Sequence, residues 1–96
     1  LKPDSALVIQ AIARGLAANA SLKVLIEGHT GSTGNAAANL ELSKRRAEAV
    51  KSVLAAQFQI DAARMTTSGL GASKPVDSND TPQGRARNRR VEFVKQ

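Results

Sequence analysis

The stretch EGHTGSTGN, residues 27–35, gathers Gly28, Gly31 and Gly34 around His29, the chain's only histidine. It follows the alternating run LKVLIEG and precedes the helix-like AAANLELSKRRAEAVKSVLAAQF. A glycine-rich loop between a strand and a helix is a candidate anion cradle, because its backbone N–H groups and the helix N-terminus both favour negative charge. It is not a P-loop. The glycine spacing is wrong and Asn35 stands where a lysine is required. G-x-G-x-x-G cannot be placed on it, and Gly69 with Gly71 is only a G-x-G pair entering a loop. One histidine and no cysteine would leave a zinc site to be built mostly from carboxylates, so no metal is expected. His29 has no Ser/Asp constellation in the sequence and reads as a structural or rim residue. No catalytic residue and no cofactor is expected, and the chain reads as a non-enzyme.

The helix after the loop adds two polar groups to the same region. Asn39, Leu42, Arg46, Val50, Val53 and Leu54 share one face, so an arginine is set into an apolar stripe. A guanidinium cannot shed its charge. If buried, it needs an anion or accepting carbonyls. The alternative is an arginine snorkelling at the stripe's edge toward a structural carboxylate. Glu41, Lys44, Glu48 and Lys51 alternate in sign on another face, which is the solvated one.

The elements that position these residues follow from pattern. Pro3, Asp4 and Ser5 open a first helix, with Val8, Ile9, Ile12 and Leu16 on its apolar side. SLKVLIEG is a strand with Leu22, Val24 and Ile26 on one face and Lys23, Leu25 and Glu27 on the other. The second helix runs from about Asn35 to about Phe58. RMTTSG, residues 64–69, is another strand. Residues 71–86, rich in Gly, Pro, Ser, Asn and Asp, read as a loop, and RRVEFV as the last strand. The order is that of an α/β domain with helices on one face of a small sheet.

Composition bounds the rest. Ninety-six residues make one domain, with a core of Leu, Ile, Val and Ala plus Phe58 and Phe93. No apolar run approaches ~20 residues, so no membrane span is expected, and no leader sequence is evident. The net charge of +6 favours an anionic partner. Much of it lies in GRARNRRVEFVK, residues 84–95, where Arg85, Arg87, Arg89, Arg90 and Lys95 could follow phosphates or form a solvated rim. With no tyrosine or tryptophan, single strands lack a stacking platform, so a nucleic-acid module is the weaker reading.

GHTGSTGNAAANLELSKRRAEAV followed by GLGASKPVDSNDTPQGRARNRRVEF resembles the OmpA-like C-terminal domain, the family of OmpA, the Pal lipoproteins and MotB. G-H-T, Gly34, Asn39, Leu42-Ser43, Arg46-Ala47 and Gly-Arg-x-x-Asn-Arg-Arg-Val-Glu all fall in register over nearly the whole chain. The resemblance implies a single OmpA-like domain over 1–96, an α/β β-α-β-α-β-β mixed-sheet sandwich. The family's first strand is expected to be missing ahead of LKPD. It implies non-covalent binding of peptidoglycan in the periplasm, attached to the envelope through parts of the parent protein outside this chain. The implied ligand is the diaminopimelate of the stem peptide, whose free end carries an ammonium and a carboxylate. Arg46 matches the arginine for the carboxylate. Thr30, Gly31, Asn39 and Arg90 are the other implied site residues, Arg90 either lining the pocket or closing the sheet. The family's G-x-T-D-x-x-G carries an aspartate where this chain has Gly31, so binding is expected to be weakened. Glu27 is one strand-step away, and Asp77 or Asp80 could substitute only if the long loop folds over. The alternative reading is a family member reduced to an interaction or homodimer module through an open sheet edge.

Overall fold

Helix α1 (Pro3–Ala18) leads into β1 (Val24–Gly28), helix α2 (Ala36–Gln57), a 3-10 turn at Ala62–Arg64, β2 (Met65–Gly69), helix α3 (Pro82–Asn88) and β3 (Val91–Lys95). This is a computed structural model that describes residues 3–32 and 34–96, with the α1 side chains from Leu7 onward. The expected capping by Asp4 and Ser5 lies outside the described side chains. The three strands form one mixed sheet in the order β2-β1-β3. β1 and β2 are parallel, joined by the α2 crossover that such a pair requires. β3 returns antiparallel to β1, with Ile26 opposite Phe93 and Glu27 opposite Glu92.

The core lies between the helices and one face of the sheet. Ile9, Ala13 and Leu16 of α1 meet Val24 and Ile26 of β1, Ala47, Val50 and Leu54 of α2, and Met65 of β2. The alternation expected for β1 holds: Val24 and Ile26 are buried, and Leu22 packs against them. Val8 does not join the core. It is 50% exposed, because the helical face that meets the sheet runs through Ile9, Ala13 and Leu16. Arg64 ties the C-terminus of α1 to the start of β1. Its guanidinium donates to the Leu16 carbonyl at 2.6 Å and the Leu22 carbonyl at 3.1 Å, filling acceptors that a helix end leaves open.

Two expectations are corrected. The segment 71–86 is not all loop, since α3 begins at Pro82. Thr81 caps it, its Oγ1 accepting from the Gly84 N–H at 2.9 Å, with proline in the first turn. In α2 the buried stripe is Ser43, Ala47, Val50 and Leu54 rather than one through Leu42, which is 39% exposed. Small residues sit there because the helix backbone lies against the strand end. A Cβ on Gly28 would fall 2.0 Å from the Ser43 carbonyl oxygen.

Gly28→Ala is therefore expected to cost about 2–3 kcal/mol, read as a lowered urea midpoint, since backbone rather than a movable side chain blocks the methyl. Gly15→Ala, on the open side of α1 with nothing near its Cβ, is the contrast. It should be neutral or stabilising by up to ~1 kcal/mol. Equal midpoints for both variants would contradict the seating of α2 on the end of β1.

Candidate functional site

The loop leaving β1 is held at almost every backbone group. The His29 N–H donates to the Arg90 carbonyl at 2.8 Å, and the Thr30 N–H to the Gly71 carbonyl at 2.8 Å. The Gly28 carbonyl accepts from Leu70 at 3.0 Å. Ser43 links this loop to α2. Its hydroxyl donates to the Leu40 carbonyl at 2.7 Å and accepts from the Gly71 N–H at 2.9 Å. Ser32 is met from above by Asn79, whose Oδ1 accepts its N–H at 3.3 Å. The long loop thus does fold over the glycine loop.

Asn88 organises that fold-over. It is fully buried, and its Oδ1 accepts from Val76 at 2.7 Å and Asp77 at 3.0 Å. Its Nδ2 donates to the Asp77 carbonyl at 3.0 Å and to Asn79 Oδ1 at 2.8 Å. Both ends of a buried amide are satisfied, which a packed polar group requires. Residue-by-residue chemistry passed over Asn88; only its place in Gly-Arg-x-x-Asn marks it.

Arg46 comes off α2 half-buried beside the loop, and Nη1 donates to the His29 carbonyl at 3.4 Å. Among the described residues it has no carboxylate partner, so the alternative of a structural acid is not found there. Burial holds its guanidinium below the ordinary arginine range, and the charge of Arg89 adds to that. Thr30 is 3% exposed and its Oγ1 has no hydrogen-bond partner among the described residues. Gly31 is buried against Arg85, and its φ is not among the positive ones, which belong to Gly34 and Gly71. Glycine is therefore not required at position 31 by backbone conformation. Asn39 is half-buried on α2, two turns before Arg46. The N–H groups opening α2 are already used: Asn35 Oδ1 accepts from Ala37 at 2.8 Å and Ala38 at 3.1 Å.

Arg90 is committed elsewhere. It reaches Glu92 Oε2 at 2.8 Å through Nε and 2.6 Å through Nη2, and it donates to the carbonyls of Lys74 and Asn88. The cation felt by Arg46 is its neighbour Arg89, which the sequence pattern did not separate from the rest of the arginine run. Arg87 pairs with Asp77, and Arg85 donates to the Asn79 carbonyl at 2.9 Å. Much of the basic segment thus braces the fold instead of presenting a free phosphate track.

His29 is 1% exposed and turned to the other side of the strand end. Its Nε2 lies 3.2 Å from Glu92 Oε2 and 4.0 Å from Glu27 Oε1, yet neither ring nitrogen meets hydrogen-bond geometry. Among the described residues, no cluster of three His, Cys, Asp or Glu could hold a metal ion. No helix among them is long and apolar enough to cross a membrane.

The OmpA family model matches residues 1–89. The chain is 45% identical over 94 residues to the outer-membrane lipoprotein YfiB of Pseudomonas aeruginosa, covering 98% of this chain and 55% of that protein. It is 42% identical over 94 residues to the probable lipoprotein YiaD of Escherichia coli K12, covering 98% of this chain and 42% of that one. The chain thus spans about half the length of these curated relatives. The crystal structure of the peptidoglycan-associated lipoprotein from Burkholderia pseudomallei superposes with a TM-score of 0.91 at 31% identity, over 100% of this chain and 80% of that one.

Burial pushes the His29 imidazole below its ordinary value, and Arg90 lowers it further against the opposing pull of Glu92 and Glu27. The unfolded chain then binds the proton more readily than the folded one. Stability should be at its plateau above about pH 6.5 and decline as the pH falls below it, toward the folded value. His29→Asn should flatten that decline in urea midpoints between about pH 7.5 and 4.5, a window above the range where Asp77 titrates. A decline of unchanged steepness in the variant would assign the pH dependence to another group.

Proposed function

This chain belongs to the OmpA family, and we propose that it is a non-catalytic module holding peptidoglycan through the diaminopimelate of its stem peptide. The observation that carries the reading is Arg46: a half-buried guanidinium whose hydrogen bond among the described residues is to the His29 carbonyl at 3.4 Å, with the next residue, Thr30, burying a hydroxyl that has no partner among them. A carboxylate is the natural completion of such a group, because a bidentate arginine–carboxylate pair satisfies both its charge and its planar donors. Thr30 and the Gly31 backbone border the same place, with Asn39 supporting the loop. Arg90 contributes from behind, through its carbonyl bond to His29 and its hold on Glu92. The likeness to a peptidoglycan-associated lipoprotein supports the ligand class. The kinship with outer-membrane lipoproteins supports a periplasmic setting, with membrane attachment through other parts of the parent protein. No nucleic acid is part of this reading.

Gly31 sets the strength of binding. An aspartate there would supply a charge-assisted partner for the ligand's ammonium, a contact worth about 1.5–3 kcal/mol. Its Cβ would lie 3.4 Å from the Arg85 Cβ, a contact that asks for only a slight adjustment. Gly31→Asp is accordingly expected to tighten diaminopimelate binding by about ten- to a hundredfold in calorimetry. Arg46→Ala should abolish both that binding and co-sedimentation with purified peptidoglycan. Retention of both by Arg46→Ala would remove Arg46 from the site.

A homodimer is the second reading, favoured by the sheet itself: β3 is an outer strand with one edge unpaired among the described residues. Such edges accept strands. Sedimentation velocity across concentration tests it. A dimer forming with rising concentration is expected, and a monomer throughout would dismiss it.

A further inference from the structure

Among the described residues, Arg46 meets the His29 carbonyl and the charge of Arg89, and no acid. Of the carboxylates whose side chains are described, Glu27 and Glu92 face the His29 ring, and Glu92 also takes Arg90. Glu41 pairs with Arg45 at 3.6 Å, and Glu48 accepts from the Thr67 hydroxyl. Asp61 caps the 3-10 turn, and Asp77 is held by Arg87 and the Ser78 N–H. Asp80 is exposed on the overlying loop, and no acid is among the charges that act on Arg46. β1 alternation seals the separation: Val24 and Ile26 face α2, so Glu27 faces away from it, on the side opposite Arg46.

A receptor so composed can hold a carboxylate, but the described residues bring it no carboxylate of their own to prefer a charged amine over a neutral amide. Resting on the proposed function above, we infer that this site reads the carboxylate of the diaminopimelate end alone and accepts that end equally when its amine is acylated. Cross-linking of peptidoglycan makes that change: the amine becomes an amide nitrogen while the adjacent carboxylate stays free. Glycine at 31 removes side-chain bulk together with charge, and the loop beyond it, at Ser32 and Gly34, is exposed, which leaves the acyl group a way out to solvent. An ammonium next to Arg46, with the Arg89 charge close by, gains no partner, whereas an acylated nitrogen brings no like charge. The module would therefore bind cross-linked wall as well as nascent, uncross-linked stems.

The test uses three synthetic stem tetrapeptides and calorimetry on the whole chain. One has the diaminopimelate amine free, one has it acetylated, and one has the adjacent carboxylate amidated. The first two should bind within about threefold of each other and the third should not bind. Gly31→Asp should restore a preference for the free amine of about tenfold or more, while Gly31→Asn, of the same size without charge, should not. Circular dichroism confirms that both variants fold. A native preference for the free amine of about tenfold or more would overturn the inference and leave Arg46 as a carboxylate site. Equal binding of the amidated peptide would overturn the proposed function itself, and this inference with it.

Discussion

The contact between the α2 backbone at Ser43 and the end of β1 at Gly28 governs the molecule. No side chain intervenes: any Cβ on Gly28 would overlap the Ser43 carbonyl. Because the helix comes that close, the Ser43 hydroxyl can turn back to accept the Gly71 N–H, and Gly71 in turn accepts from Thr30. One backbone approach thus registers a helix, a strand end and two loops against each other. Arg46 follows Ser43 by about one turn, which brings its guanidinium to the His29 carbonyl rather than to solvent. The position of Arg46 thus follows from how α2 packs on the strand end.

The same contact explains what could and could not be read from the sequence. β1 was legible from its alternation, β2 from its β-branched threonines and α2 from its helical spacing, and α2 begins and ends within a residue of the expected Asn35 and Phe58. Arg46 was legible as an arginine in an apolar stripe. The stripe's membership was not, because a helix seated on a glycine buries small Ser43 and Ala47 and leaves Leu42 at the edge. α3 was hidden by composition: seven residues of Pro, Gln, Gly, Arg and Asn carry no apolar periodicity, and only the Thr81-Pro82 start announces it. Asn88 was silent for a related reason. A buried amide that organises a loop is chosen for its donors and acceptors, and its partners are main-chain groups that no side-chain pattern encodes.

Charge on this chain divides into structural and uncommitted parts. Arg64 holds the end of α1, Arg87 and Asp77 brace the long loop, and Arg90 fixes Glu92 at the strand end. These cations are matched locally. Arg46 is not, and desolvation together with Arg89 makes its charged state less comfortable than in water. Guanidinium does not neutralise, and the hydrogen-bond partner that the described residues give it is the His29 carbonyl. A net charge of +6 is in that sense partly an account of what the fold consumes and partly of what it leaves over.

The strand end also keeps its two electrostatic environments apart. His29 takes part in both: its carbonyl faces Arg46 on the helix side, and its ring faces Glu92 and Glu27 on the other. The period of two along β1 puts Glu27 on the face away from Val24 and Ile26, and the His29 ring meets it just beyond the strand end. Glu27 could reach the α2 side only if the strand turned over, which would expose Val24 and Ile26. The overlying loop reaches Ser32 through the neutral Asn79, while its Asp77 is drawn to Arg87. Position 31 has no positive φ, and an added Cβ would meet Arg85 at 3.4 Å, so an acid side chain could be placed there without rebuilding the fold; a glycine occupies it.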